Sequence, residues 1–448
     1  MNDQSMRGYL DAREGCGMLR RVDDAVDPRH ELGAWLAACD GEGPVLFEAV
    51  SGHDLRVAGN LLDSMEAIAA GLGTSVAALQ ERIVAAIAAP LAPRHVSQAP
   101  CQEMTIAEPD LATLPIPTFF EHETGPYITA GAIVTRDTQT GRGNLSIARL
   151  KPLGGNRAFI GIAPNHHLAV LARAARARGE RLEIAVTIGN HPAVMIAACL
   201  YLGLGDDELE VAGALLGGPV DVVSCRSVAL AVPAQCEIVL EGVLDPDETV
   251  EEGPVSEFHG MYERYGAGYV VTFSMLTRRA DAIWQAILPG YAAEHVLIGA
   301  VAIAAGLQRS LKGRIPSLRA VAVSAGGAGR LHAVLSLENA RPGEARKAIL
   351  AVWGAVNLIK QVTVVDGDID PWNARQVEWA VATRMRPERD LIVVPGVQAD
   401  RSEPLEQGGT VGKLGIDATI HAADRADWTL AQAPAAVRER VREKLRGA

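Results

Sequence analysis

The spacing of apolar positions divides the chain into stretches of different period. In residues 1–95, Asp27-Pro28 opens a helical pattern through Leu32, Trp35 and Leu36, with the proline near the first turn. Residues 44–50 read as a short strand, and Thr74 or Ser75 caps a helix carrying Val76, Leu79, Ile83 and Ile87. Pro90, Pro93 and Pro100 then break the chain and place a boundary between 90 and 105. From 105 to 290 the pattern is strand-rich. Stretches 127–135, 144–150, 158–163, 182–189, 269–277 and 282–288 read as strands, and 166–178 and 191–202 as helices. Gly-rich, β-like segments are expected from there to 242. If 144–150 is extended, Asn144, Ser146 and Ala148 share one face, and Leu145, Ile147 and Arg149 the other.

Residues 293–311 are apolar all round (Val296, Leu297, Ile298, Val301, Ile303, Leu307), which predicts a buried connecting helix. Beyond 315, strands at 318–324, 330–337, 360–366 and 391–395 alternate with helices at 343–356 and 373–385, an α/β or α+β pattern, and 435–448 read as a charged helical tail. The expected domains are an N-terminal α/β segment 1–104, a strand-rich domain 105–292, the helix 293–314, and a C-terminal α/β domain 315–448.

Composition narrows the function classes. A chain of 448 residues exceeds one ordinary core, which fits several domains. A net charge of -12 without a Lys/Arg cluster argues against a nucleic-acid partner. The six cysteines are scattered without C-x-x-C or metal-ligand spacing, as in a reduced compartment. No signal-peptide layout opens the chain, and no apolar run reaches the roughly 18 residues a membrane span needs. The expectation is a cytoplasmic protein with no membrane partner.

Four stretches carry candidate chemistry. The acidic stretch 237–262, E-I-V-L-E-G-V-L-D-P-D-E-T-V-E-E-G-P-V-S-E-F-H-G-M-Y, begins as a strand and is broken at Gly253-Pro254, between Glu252 and Glu257. Carboxylates among apolar and aromatic neighbours have raised pKa values that suit proton transfer; the competing reading is an exposed hairpin end. The run 245–251 reads as a solvated turn between strands. In N-L-S-I-A-R, Arg149 reads either as a bidentate clamp for a carboxylate or phosphate, or as a rim arginine with a structural partner. In A-P-N-H-H at 163–167, at most one histidine is a ligand, with a helix cap as the alternative. Q-G-G-T-V-G-K at 407–413 is glycine-rich but lacks the Walker A spacing. Together, Asn144, His166 and Glu237 would make a hard, oxygen-rich site suited to Mn²⁺ or Mg²⁺ bridging a phosphate.

These pieces resemble the UbiD-like (de)carboxylases that use prenylated FMN. The matching motifs, in the family's order, are N-L-S-I-A-R at 144–149, P-N-H-H at 164–167, V-P-A-Q-C-E-I-V-L-E-G at 232–242, E-G-P-V-S-E-F-H-G at 252–260, A-E-H-V-L-I-G at 293–299, D-G-D-I-D at 366–370, W-A-V-A-T-R at 379–384, and G-K at 412–413. The resemblance implies an α+β / α/β multidomain fold. A split β-barrel flavin-binding domain would be joined by a long helix to a C-terminal α/β oligomerisation domain, giving a homodimer or higher homo-oligomer. It implies reversible non-oxidative decarboxylation of an aromatic, heteroaromatic or α,β-unsaturated acid through a covalent prenylated-FMN adduct. The chemistry needs such a cofactor, because CO₂ loss at an sp² carbon leaves an anion with no electron sink.

Carried over by position, Asn144, His166 and Glu237 are the implied Mn²⁺ (or Mg²⁺) ligands, with K⁺ near Ser227. Ile147, Ala148, Arg149, Ile162, Ala163, Pro164 and His167 are implied to line the flavin, and Lys413 to reach its phosphate or ring. Arg149, Glu252 and Glu257 match the family's Glu-Arg-Glu network, with Arg149 orienting the substrate carboxylate and Glu257 as proton donor. His295 and Ile298 are implied pocket residues. A flavin prenyltransferase is the implied cofactor supplier. Val255-Ser256 departs from the aromatic-or-Met-Gly pair of many members, which leaves the substrate acid open. Two other readings are a split-barrel FMN oxidoreductase, disfavoured by the lack of a dinucleotide fingerprint, and a non-catalytic flavin- or metal-binding subunit.

Overall fold

The computed structural model describes residues 3–421 and 428–446. The chain starts with a helix that the pattern reading missed, Met6–Gly15, capped by the Ser5 hydroxyl accepting from the Gly8 N–H. Behind it lies a four-stranded sheet in the order Arg20–Val22, Val45–Phe47, Arg56–Gly59, Ile283–Gln285. The last strand comes from the region expected to belong with the central strands, and it pairs in parallel with Arg56–Gly59.

A larger sheet occupies the middle of the molecule. Its order is Gly143–Ile147, Ala132–Arg136, Leu182–Ile188, Ile238–Glu251, Ala267–Arg278, Arg157–Gly161, Arg149–Gly154, with Met104–Ala107 added on Ala267–Arg278. Both faces are covered, and the alternation in sequence sorts the faces. Ile184, Val186, Ile238 and Leu240 enter one core, while Ala185 and Val239 enter the other. Each fully buried Ile, Val or Leu contributes about 1.5–3 kcal/mol. The two end strands are consecutive in the chain and meet at Ala148, but no ladder joins them, so hydrogen bonding does not close the sheet.

The break at Ala148 also overturns the expected alternation over 144–150. Arg149 starts a new strand at the opposite edge, opposite Gly161, so it does not continue the face of Leu145 and Ile147. The acidic run 245–251 is not a turn between strands. It is the exposed end of the 14-residue strand Ile238–Glu251, whose register shifts between Asp245 and Thr249. The segment expected to be β-like up to 242 instead contains the helix Glu208–Leu216, with Asp207 as N-cap and Gly217, φ 77°, as C-cap.

The helix Ala293–Leu311 is shared by two cores. Ile298 and Val301 pack toward the central domain, and Ala300, Ile303 and Leu307 toward the C-terminal sheet. That sheet runs Leu318–Val323, His332–Leu337, Gln361–Asp366, Thr410–Ala418, Leu391–Gln398. Thr410–Ala418, part of which read as a glycine-rich loop, is an interior strand. The tail helix spans Ala435–Arg446, and 447–448 of the expected tail lie outside the described residues. No helix among the described residues is long and apolar enough to cross a membrane.

Candidate active site

One cavity of about 490 Å³ lies between the open edges of the central sheet, the start of the long helix and the C-terminal domain. Pockets of roughly 300–1,000 Å³ suit a small molecule or cofactor.

The residues around Ala148 form one wall. Arg149 lies across from Gly161, where an added methyl would stand 3.2 Å from the guanidinium carbon, so the glycine leaves the space the side chain fills. The guanidinium makes two parallel bonds to Glu252, Nε to Oε1 at 2.5 Å and Nη2 to Oε2 at 2.7 Å. Glu252 is 1% exposed. Gly253, at φ 86°, turns the chain after Glu252 and brings Glu257 back to 3.9 Å from Arg149 Nη1. Glu257 accepts from the Tyr265 hydroxyl at 2.7 Å and from the Phe258 N–H at 2.9 Å. The Tyr265 ring lies 5.2 Å from the Arg149 guanidinium.

The electrostatics reverse one expectation. Burial pushes the Glu257 carboxyl up, but the Arg149 charge, the Tyr265 hydroxyl and the Phe258 N–H outweigh it and hold the pKa below its ordinary value. Burial likewise opposes the Arg149 cation, and the Glu252 pair overrides it, so that pKa is raised. Glu257 is therefore an anion in the resting protein.

A second cluster differs from the expected ligand set. Asn144 Nδ2 lies 3.2 Å and 3.3 Å from the Glu208 carboxylate and 3.4 Å from His167 Nδ1, and His167 Nδ1 is 4.0 Å from Glu208 Oε1. Glu208 also accepts from the Leu145 N–H at 2.8 Å. His166 is instead the N-cap of the helix His167–Arg176, its Nδ1 accepting from the Leu168 N–H at 3.3 Å. Glu237 is not with Asn144. It is held by Arg7 at 2.8 Å and Arg279 at 3.4 Å and accepts from the Ile283 N–H, against the N-terminal helix. The signal for Glu208 was present as D-D-E-L-E before an apolar run closed by glycine, a helix start and stop.

Whether a divalent ion suits this cluster is answered by its chemistry. Asn144 Oδ1 is buried without a hydrogen-bond partner, and burial pushes the Glu208 carboxyl up to about 7. An amide oxygen, an imidazole and a carboxylate are ordinary donors for such an ion, so the residues fit. Among the described residues no group of three or more His, Cys, Asp and Glu forms a metal site, and this cluster reaches three donors only by counting the amide.

The other expected residues divide. Ile147, Ala148, Ala163, His166, His167, His295 and Ile298 line the cavity. Ile162 is buried in the core behind it, and Pro164 is exposed outside the lining. Lys413 donates to the Asn357 and Ile359 carbonyls at 2.7 and 2.8 Å, so its ammonium is spent inside the C-terminal domain. Ser227 binds the Glu241 carboxylate through its N–H and hydroxyl, outside the cavity lining, so the potassium position expected beside it is not part of this site. Glu123 and Tyr265 were missed. Glu123 accepts from the Ser256 hydroxyl at 2.9 Å and fixes the residue before Glu257.

Residues 10–87, 94–292 and 296–418 match the models of the 3-octaprenyl-4-hydroxybenzoate carboxy-lyase N-terminal, Rift-related and C-terminal domains, the three parts of UbiD. The chain belongs to the UbiD family. It is a carboxy-lyase of that family. The anhydromevalonate phosphate decarboxylase of Methanothermobacter thermautotrophicus is 34% identical over 92% of this chain and 96% of its own length. The UbiD-class enzyme HmfF from Pelotomaculum thermopropionicum, solved with FMN, superposes with TM-score 0.93 at 37% identity, over 97% of this chain and 98% of HmfF. An evolved dimeric form of HmfF with prFMN gives TM-score 0.89 at 37% identity, over 96% and 97% of the two chains. UbiD relatives thus bind flavin within the mixed α/β fold seen here.

Proposed function

We propose that this UbiD protein is a reversible non-oxidative decarboxylase of an aromatic, heteroaromatic or α,β-unsaturated carboxylic acid that works with prenylated FMN. The observation that carries this reading is that Arg149, Glu252 and Glu257 form one network beside the same cavity that Asn144, His167 and Glu208 face. When bound, the prenylated flavin supplies the electron sink that an sp² carbanion lacks.

Asn144, His167 and Glu208 would hold Mn²⁺ or Mg²⁺ and through it the flavin phosphate. Turning the Asn144 amide by half a rotation presents its free oxygen to His167 and Glu208. Arg149, kept in place by Glu252, orients the substrate carboxylate. That carboxylate competes with Glu257 for the Arg149 charge, which raises the proton affinity of Glu257, so that it takes up a proton from water as the acid binds and delivers that proton to the carbon after CO₂ leaves. Tyr265 holds the carboxyl toward the network. Val255 and Ile298 supply apolar walls.

The curled sheet, with its edges meeting at Ala148, is read as the split barrel of a flavin domain spanning 105–292. The long helix then links it to a C-terminal oligomerisation domain in a homodimer or larger assembly, with a flavin prenyltransferase supplying the cofactor.

The test is expression with and without a flavin prenyltransferase, followed by mass and visible spectra and a CO₂ assay over unsaturated acids. Prenylated flavin bound and CO₂ released, with Glu257→Gln inactive but still flavin-bound, is the expected result. Plain FMN in both preparations and no CO₂ from any acid would sink the proposal.

A further inference from the structure

The cavity holds two guanidinium groups in different electrostatic states. Arg149 is answered by Glu252. Arg330, which reaches the cavity from the C-terminal domain, forms no ion pair among the described residues. Its contacts are a long 3.4 Å bond from Nη1 to the His295 carbonyl and the Phe258 ring, whose centroid is 4.8 Å from the guanidinium carbon.

The cavity's carboxylates are engaged elsewhere. Glu123 accepts from the Phe119 and Phe120 N–H groups and from Ser256, Glu208 from the Leu145 N–H and Asn144, Glu257 from Tyr265 and Phe258, and Asp400 from Ser402. His295 adds no competing cation. Its Nδ1 is 3.0 Å from the Gly290 carbonyl, and burial, then the Arg330 charge, lowers its pKa to about 4.

Arg330 also has a dedicated space. Gly299 on the long helix faces it, and a methyl there would stand 2.8 Å from the guanidinium carbon. A guanidinium offers five donors in a planar fork suited to a carboxylate or phosphate, and leaving it half-buried without a counter-charge is costly. Arg401, the other guanidinium nearby, stacks 4.6 Å from the Tyr265 ring and is not in the cavity lining.

From this we infer that the substrate carries a second anionic group, a carboxylate or a phosphate, which is received in the cavity by Arg330, seated in the space left by Gly299, while Arg149 takes the carboxyl that leaves. This assignment deepens the decarboxylase reading and rests on it for the reacting end. It makes Arg330 a specificity residue, and the acid a dianion or trianion.

The test is calorimetric titration of the flavin-loaded protein with compounds that cannot be decarboxylated by this chemistry. The probes are glutarate and 3-phosphonopropionate as di- or trianions, and butyrate as the monoanion of matched length. One extra bidentate charge-assisted contact corresponds to at least about a tenfold tighter Kd for the doubly anionic probes. Arg330→Gln should erase that preference while leaving butyrate binding and FMN content unchanged. Gly299→Ala keeps the charge but displaces it, and should reduce the preference, so the test stands if Arg330→Gln does not fold.

Which of glutarate and 3-phosphonopropionate wins identifies the second group. Equal affinity for mono- and dianion, or a preference that survives both substitutions, overturns the inference. So does loss of FMN from Arg330→Gln, since the arginine would then serve the cofactor. CO₂ release from an unsaturated acid without dianion preference would sink this inference alone, and an Arg330-dependent preference without CO₂ from any acid would sink the decarboxylase reading alone.

Discussion

Arg149 and Glu252 stand 103 residues apart in the chain and share two parallel bonds of 2.5 and 2.7 Å. Glu252 is shielded from solvent, so removing it strands a largely buried cation. Glu252→Ala is expected to lower stability by about 3–5 kcal/mol, read from the urea midpoint. Glu252→Gln, which keeps the shape and one acceptor, should cost less. Equal midpoints for Glu252→Ala and wild type would show that the pair contributes nothing to the fold.

Gly161 sets the position of the same arginine from the opposite strand. Gly161→Val places two methyl groups where the guanidinium lies, since even one would stand 3.2 Å from its carbon. The expected outcome is a fall in kcat on the order of 10²-fold from misplacement alone, with an unchanged circular dichroism spectrum. Full activity in this variant would mean that Arg149 tolerates displacement.

The two buried glutamates, Glu237 expected at the metal and Glu208 proposed in its place, can be separated in one preparation. Glu208→Ala should lose bound metal and flavin, measured by elemental analysis and absorbance, with a small change in melting temperature. Glu237→Ala frees Arg7 and Arg279 and should do the opposite, retaining flavin while losing about 3 kcal/mol of stability. If Glu237→Ala strips the flavin, the geometric separation of the two sites has no functional meaning.

Glu294, at the start of the long helix, gives the protein a pH-dependent stability. Burial, helped by the nearby Asp63 charge, pushes its carboxyl from 4.5 to about 8, against the Leu62 N–H that it accepts. The unfolded chain ionises at the lower value and the folded one at the higher. Stability is therefore full below about pH 4.5 and declines as pH rises to about 8, by up to on the order of 5 kcal/mol. Glu294→Gln keeps the acceptor and should flatten the melting-temperature profile between pH 5 and 8. A parallel decline in both proteins would assign the effect to other groups.

What could be read in the chain beforehand follows from the range of each interaction. The long apolar helix and the alternation beyond 315 are local patterns, and the elements at Ala293–Leu311, Glu344–Ala355 and Ala374–Arg384 follow them closely. The Gly253-Pro254 break singles out Glu252 and Glu257, but their association with Arg149, 103 residues before Glu252, was legible only through the resemblance to the UbiD family's motifs. The choice between His166 and His167 was not, since adjacent side chains diverge and the helix start decides which one caps. The helix that carries Glu208 had its start and stop signals in the sequence, yet nothing local placed it beside Asn144, which lies 64 residues earlier. Lys413 shows the limit from the other side: the G-K pair resembles a phosphate contact, yet a strand places its ammonium on two carbonyls.

Ala148 has a consequence for how the site behaves when the protein moves. Asn144 and Arg149 lie on opposite edges of the central sheet but only five residues apart in one backbone, a contour of at most about 18 Å. The separation of Asn144, in the proposed metal and flavin anchor, from Arg149, in the proposed substrate clamp, is thus bounded by covalent geometry whatever the packing of the outer domain. Arg330, Leu358 and Asp400, by contrast, reach the cavity from the C-terminal side. Relative rotation of that domain would move Arg330, Leu358 and Asp400 against the cavity while the Asn144-to-Arg149 separation stays within the same bound, so one wall is adjustable and the other is tied by the backbone.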